Sequence, residues 1–225
     1  MTKTNQFQQL WDKGEREEAV KQLAAYLQHN EHDLPAYLQL STYLTALKDF
    51  PQAEELLQRA LSVFPNDASL RYNLGTLYYV AQDYTKAIPI FQELVQNEQM
   101  ADAQYMLGEI YFRQKQYQLA LAFALTAQQA DPTAIDANQL CGAIWMSMGN
   151  FAEAAQYYRN VLDQAPENVQ ANFQYGLTQF AQRQPAEKYF NFVQKQAPDY
   201  FKQQKQQLTD IERFLDATKD DHQDE

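Results

Sequence analysis

The stretch LGTLYYVAQDYTKAIPIFQEL, Leu74 to Leu94, decides the fold, because its landmarks return at a near-constant interval along most of the chain. Its opening pair Leu74-Gly75 has counterparts in Leu40-Ser41, Leu107-Gly108, Cys141-Gly142 and Tyr175-Gly176, with the small residues 33 or 34 positions apart. Three residues after the small one stand Leu44, Tyr78, Tyr111 and Trp145, and nine after it Phe50, Tyr84, Tyr117 and Phe151. Ala53, Ala87, Ala120 and Ala154 follow at twelve, Leu57, Phe91, Ala124 and Tyr158 at sixteen, and Ala60, Leu94, Ala127 and Val161 at nineteen. Pro65, Pro132 and Pro166 close the unit at twenty-four. A repeat of this length marks stacked supersecondary units, each too small to bury its own apolar face.

Within one unit the first apolar set falls at i, i+1 and i+4 and the second at i, i+3, i+7 and i+10, so each traces one stripe of an amphipathic helix. Two helices per unit follow, joined by the short polar turns Lys48-Asp49, Gln82-Asp83, Gln116 and Gly149-Asn150, where Asp or Asn can cap the second helix. The closing Pro ends that helix, and Asn66-Asp67, Thr133 or Asn168 is placed to cap the next. Gly or Ser on the first helix and Ala on the second have the size of a crossing point where two backbones approach closely.

The pattern of Leu, Gly and Tyr followed by Ala, Phe, Ala and a closing Pro resembles the tetratricopeptide repeat. The resemblance implies an all-α solenoid of about six stacked helical hairpins, wound as a right-handed superhelix and closed by a C-terminal capping helix. The expected repeats are 1–33, 34–67, 68–100, 101–134, 135–168 and 169–198, with a cap over 199–215 and an acidic, disordered tail over 216–225. The first repeat keeps Leu10, Ala19, Leu23 and Tyr26 but has Phe7 where a small residue is expected. The last keeps Gly176, Phe190 and Pro198, with a turn shortened by two residues and Pro185 at an expected first helical position. Phe201, Leu208, Ile211 and Leu215 share one face of the cap.

Some positions depart from the family. Where it usually carries a Trp early in the first helix, this chain has Tyr37, Arg71, Gln104, Asn138 and Asn172, so most of that contact is expected to be lost. Pro89 falls inside a second helix and is expected to kink it, and Gln99 stands where a Pro would end one.

Composition agrees with a folded helical body. Apolar residues make up 45% and aromatic residues 13% of the 225, enough for a core, and Val, Ile and Thr are too sparse for a strand-based fold. A net charge of −11 disfavours phosphate backbones and anionic membranes and favours a basic partner. No apolar run reaches the ~20 residues needed to span a bilayer. The opening Met1–Leu10 stretch has no basic segment followed by an apolar one, and the lone Cys141 allows no internal disulfide, so a reducing cytoplasm is the expected location.

Little in the chain suggests catalysis, and no cofactor is expected. His29 and His32 are spaced to share a metal, but only Glu31 and Asp33 stand nearby, and surface histidines are the better reading. Cys141 takes a position held by Leu in other units and reads as a buried, unreactive thiol. Phosphate-loop, nucleophile-elbow and zinc-protease motifs do not occur.

A second stripe lies one residue along from the packing stripe of each first helix, rotated by about 100°. In this family the first helices line the concave side where peptides or partner helices bind. The resemblance therefore makes Leu38, Tyr72, Thr76, Tyr79, Tyr105, Glu109, Phe112, Met146, Phe173 and Phe180 candidates for a partner-binding groove. Tyr and Phe suit such a surface because they offer large rigid contact areas, and Tyr adds a hydroxyl. The alternative is that these rings bury against neighbouring hairpins. The stripe is nearly free of positive charge, with Arg113 beside it, which argues against a clamp for acidic C-termini. The expected function is a non-catalytic scaffold binding an apolar or mildly basic peptide or helix of a partner protein, with no nucleic acid and no membrane. The alternatives are a subunit that self-associates through the ends of the stack, an assembly or regulatory factor of a larger complex, and an enzyme-associated scaffold.

Overall fold

The computed structural model describes the backbone of residues 3–220 and the side chains of residues 6–213. Among the described residues are thirteen α-helices and no strand: α1 Lys3–Asp12, α2 Arg16–Leu27, α3 Leu34–Ala46, α4 Phe50–Val63, α5 Ala68–Val80, α6 Tyr84–Glu98, α7 Ala101–Arg113, α8 Tyr117–Ala130, α9 Ile135–Ser147, α10 Phe151–Gln164, α11 Val169–Ala181, α12 Glu187–Gln196 and α13 Pro198–Asp220. The chain forms two compact units, residues 1–110 and 111–225, with the boundary inside α7.

In the first unit α1 packs on α2, α3 on α4 and α5 on α6, while α2 meets α3, α4 meets α5 and the first helices α3 and α5 also touch. A core cluster there includes Leu23, Tyr37, Leu40, Leu57 and Leu70. Phe7 is buried in it, its ring tilted against Tyr26 at 5.7 Å, so a large residue fills the space that a small one leaves in other units. In the second unit α9 packs on α8 and α10, α11 on α10 and α12, and α13 on both α12 and α11.

Every turn within a hairpin is built alike. Gly14, Lys48, Gln82, Lys115, Gly149 and Arg183 each adopt a positive φ between 56° and 85°. At the α5 end the Gln82 amide donates to Tyr79 O at 3.0 Å and the Asp83 amide to Tyr78 O at 2.8 Å, the double bond pattern of a Schellman cap. The equivalent pairs recur at all six turns, for example Lys48 to Thr45 O with Asp49 to Leu44 O, and Arg183 to Phe180 O with Gln184 to Gln179 O. In the first five hairpins one residue thus closes the first helix while its successor is the N-cap of the second; in the sixth, three residues, Gln184 to Ala186, separate Arg183 from the start of α12.

The caps divide in two groups. Asp33, Asp49, Asp67, Asp83 and Asn168 accept from the backbone amide three residues on. Asn150 and Gln116 occupy the N-cap without a side-chain bond, contrary to the cap expected of Asn150. Thr133 is not a cap either: Ala134 holds that position, and Asp131 accepts from both the amide and the hydroxyl of Thr133 to shape the turn. α6 runs unbroken through Pro89 and ends at Gln99, whose left-handed φ of 50° replaces the missing proline as the stop.

The expected close backbone crossing also takes a different form. A Cβ built on Gly75 would lie 2.8 Å from the Phe91 ring, one on Gly142 2.8 Å from Tyr158, and one on Gly176 2.9 Å from Phe190. The missing side chain makes room for an aromatic ring of the second helix and not for its backbone.

Two terminal expectations change. Pro185 lies outside α12, which begins at Glu187 with Ala186 at its N-cap. The last helix does not stop at 215 but spans Pro198–Asp220, since Asp216-Ala217-Thr218-Lys219-Asp220 contains no Gly or Pro to break it. Ile211 is buried and Leu208 and Phe201 pack beside it. The Leu215 side chain and residues 221–225 of the expected tail lie outside the described residues.

Candidate functional site

The first-helix faces carry open clefts in both units. In the first unit, α3 and α5 flank two adjoining hollows that share Thr42 and Asn73. One, of about 340 Å3, is bounded by Leu38, Tyr72, Met100 and Asp102; the other, of about 270 Å3, by Thr45, Thr76, Lys48 and Val80. Asn73 ties their floor together, its amide donating to Leu38 O at 3.3 Å and to the Ser41 hydroxyl at 2.9 Å. Tyr72 is held edge-on against Phe91 at 5.7 Å, the same ring that covers Gly75. Burial, then the charge of Asp102, raises the Tyr72 hydroxyl above the ordinary tyrosine range.

Of the remaining candidates in this unit, Tyr79 donates to the Glu109 carboxylate at 2.9 Å, bridging α5 and α7, and Tyr105 is half-buried. None of the three lines either hollow.

In the second unit a cleft of about 700 Å3 lies between the end of α7 and helices α9, α11 and α13. Phe112 and Met146, both half-buried, line it with Leu177, and Ile211 comes from α13. Gln170, Gln174 and Gln207 supply amide groups at its rim, with Gln174 donating to Gln207 at 3.2 Å. Among the described residues, Asp210 is the one charged residue in its lining.

Phe173 does not belong to a groove. It is wholly buried, with the rings of Phe190, Tyr200 and Phe201 around it at 5.8 to 6.0 Å, because α13 docks over that end of the stripe. Phe180 packs half-buried against the same cluster. Gln170, Gln174, Gln207 and Ile211 were absent from the stripe as read from sequence. The glutamines carry no apolar signal, and α13 reads only as an end cap.

The positions that lack the family Trp are not empty. Tyr37 is buried against Phe64. The Asn138 amide donates to Pro132 O at 2.9 Å and Ala134 O at 2.8 Å and its oxygen accepts from Asn160, while Asn172 makes the same pair of bonds to Pro166 O and Asn168 O. Polar clamps on the inter-repeat turn thus replace an apolar contact.

A family model described as tetratricopeptide repeat matches residues 38–99, 94–135 and 146–187. The chain belongs to the tetratricopeptide repeat family. Its similarity to human intraflagellar transport protein 88 homolog is 26% identity over 121 residues, half of this chain and 15% of that protein. Mouse tetratricopeptide repeat protein 8 is 27% identical over 168 residues, 74% of this chain and 29% of its own length. The chain therefore corresponds to less than a third of either relative. Among solved structures, a tetratricopeptide repeat protein titled YrrB, with an unusual peptide-binding site, superposes with a TM-score of 0.59 at 22% identity, covering 79% of this chain and 93% of that one. PilF of Pseudomonas aeruginosa gives 0.65 at 20% identity, covering 72% and 75%. These likenesses establish a shared helical-repeat fold, and the tetratricopeptide repeat is a protein-interaction scaffold.

Three further observations bear on chemistry. Cys141 is fully buried, and burial pushes its thiol up to about 12. His29 and His32 are exposed, His32 edge-on to Phe64, and no cluster of three or more potential metal ligands occurs among the described residues. No helix among them is long and apolar enough to cross a membrane.

Proposed function

We propose that this tetratricopeptide repeat protein is a non-catalytic adaptor that holds a peptide or helix of a partner protein against its first-helix faces. The observation that carries this reading is the 700 Å3 cleft of the second unit, where Phe112, Met146 and Leu177 form an apolar floor and Gln170, Gln174 and Gln207 offer amides to a peptide backbone. Apolar anchors surrounded by a few polar groups are the usual make-up of a recognition site. The half-buried rings at Tyr72 and Phe112 add the rigid contact area that dominates protein interfaces. YrrB, a protein of the same fold, has an unusual peptide-binding site, which supports the same use here.

Selection of a displayed library of natural protein fragments on the purified chain, repeated with Phe112→Ala/Met146→Ala, tests the reading. Fragments that bind the wild type should lose at least about tenfold in affinity, since one or two buried anchors are each worth about 2 kcal/mol. The variant should keep its helicity and most of its melting temperature. Unchanged binding in a folded variant would move the site elsewhere, and a variant that unfolds would place both side chains in the core.

A further inference from the structure

We infer that the hollow between Leu38, Tyr72, Met100 and Asp102 in the first unit receives a lysine or arginine side chain of the docked segment, an assignment that rests on the adaptor reading above. The hollow holds about 340 Å3, and among the described residues its lining contains one carboxylate and no cation. Asp102 is exposed in the first turn of α7, and among the described residues no hydrogen bond or ion pair engages it. Acidic residues outnumber basic ones 29 to 18 across the chain, and the net charge of −11 attracts a cationic partner at long range.

Geometry adds to charge. The Tyr72 ring is fixed by its edge contact with Phe91, so it is a preformed wall and not a free rotor. Asp102 lines the same hollow as the Tyr72 ring, so one occupant can meet both. A long basic side chain has the matching anatomy: an apolar stem to lie on Leu38 and Met100 and a cationic head to meet both a carboxylate and an aromatic surface. A leucine would fill the space but leave Asp102 without a counter-ion, and a glutamate would be repelled by it. Thr42, Ser69 and Asn73 at the border offer polar groups to the peptide backbone on either side.

The test uses a fluorescein-labelled peptide of alternating alanine and leucine with one central arginine, and its twin in which citrulline replaces arginine with the same shape and no charge. Fluorescence polarisation with the full chain should give about fivefold tighter binding of the arginine peptide, the factor expected of one partly exposed ion pair with an aromatic neighbour. Asp102→Asn should erase the difference between the twins, and 0.5 M salt should shrink it. Equal binding of the twins to the wild type, a preference that survives Asp102→Asn, or no binding of either peptide overturns the inference. Binding of both peptides to the wild type with no preference for arginine would leave the adaptor reading standing while this one falls.

Discussion

The Phe91 ring occupies the space where Gly75 lacks a side chain: a Cβ there would come within 2.8 Å of both Cε1 and Cζ. Since the same ring braces Tyr72 at 5.7 Å, one contact joins the packing of the hairpin to the wall of the candidate site. Tyr158 over Gly142 and Phe190 over Gly176 repeat the arrangement in the second unit.

Gly75→Ala should therefore destabilise the protein by about 1–3 kcal/mol through overpacking. Phe91→Leu has a shorter reach and should lower the cost of the alanine. A double-mutant cycle measured by urea unfolding should give a coupling of about 0.5–3 kcal/mol, and additive effects would show that the two residues do not meet.

Gln82→Gly should stabilise, by about 0.5–1 kcal/mol, because Gln82 holds a φ of 62° that costs an L side chain more than it costs glycine. Gly149→Ala should do the reverse at φ 80°. Opposite shifts in melting temperature check the pair, and a destabilised Gln82→Gly would contradict the turn geometry.

Asn138 gives a sharper test of polar satisfaction. Asn138→Ala leaves Pro132 O and the Asn160 amide without their partner and should cost about 1–3 kcal/mol. Asn138→Asp should cost more at neutral pH, since a carboxylate has no proton to donate to the two carbonyls that Asn138 now serves. Chemical denaturation of both variants at the same pH ranks them.

Much of the repeat was legible because it is written in residue size. The spacing of Gly75, Gly108, Gly142 and Gly176 and of the alanines twelve residues on places the hairpins without further information. The turns were less legible: only Gly14 and Gly149 carry the usual mark of a left-handed residue, and Lys48, Gln82, Lys115 and Arg183 take the same conformation under the double carbonyl bonds of the cap. The site was half legible. Tyr72, Phe112 and Met146 line clefts, yet Phe173 has the same spacing and is core, because what covers a stripe depends on a helix distant in sequence.

On the alkaline side the pH response follows from buried neutral groups. Burial raises the Cys141 thiol to about 12 and also raises the hydroxyls of Tyr158 and Tyr200, so each is held in its neutral form by the fold. Their contribution is complete below the unfolded values of roughly 8.5 and 10, and it is lost as pH climbs through the raised folded values. Thermal stability should thus hold near neutrality and fall progressively above about pH 9. Cys141 should stay unreactive toward a thiol reagent at pH 8 until the chain unfolds, and stoichiometric labelling of the native protein would refute its burial.

Ile211 belongs at once to the apolar cluster under α13 and to the lining of the large cleft. Thermodynamic linkage follows from this double membership. A ligand that fills the cleft and touches Ile211 binds only chains in which α13 is docked, so it must hold that helix in place by RT ln(1 + [L]/Kd), about 2.7 kcal/mol at a hundredfold excess over Kd. Occupancy can then be read far from the ligand itself, as slowed amide exchange or slowed proteolysis along α13, and trimming the chain before Pro198 removes a wall of the cleft together with the reporter.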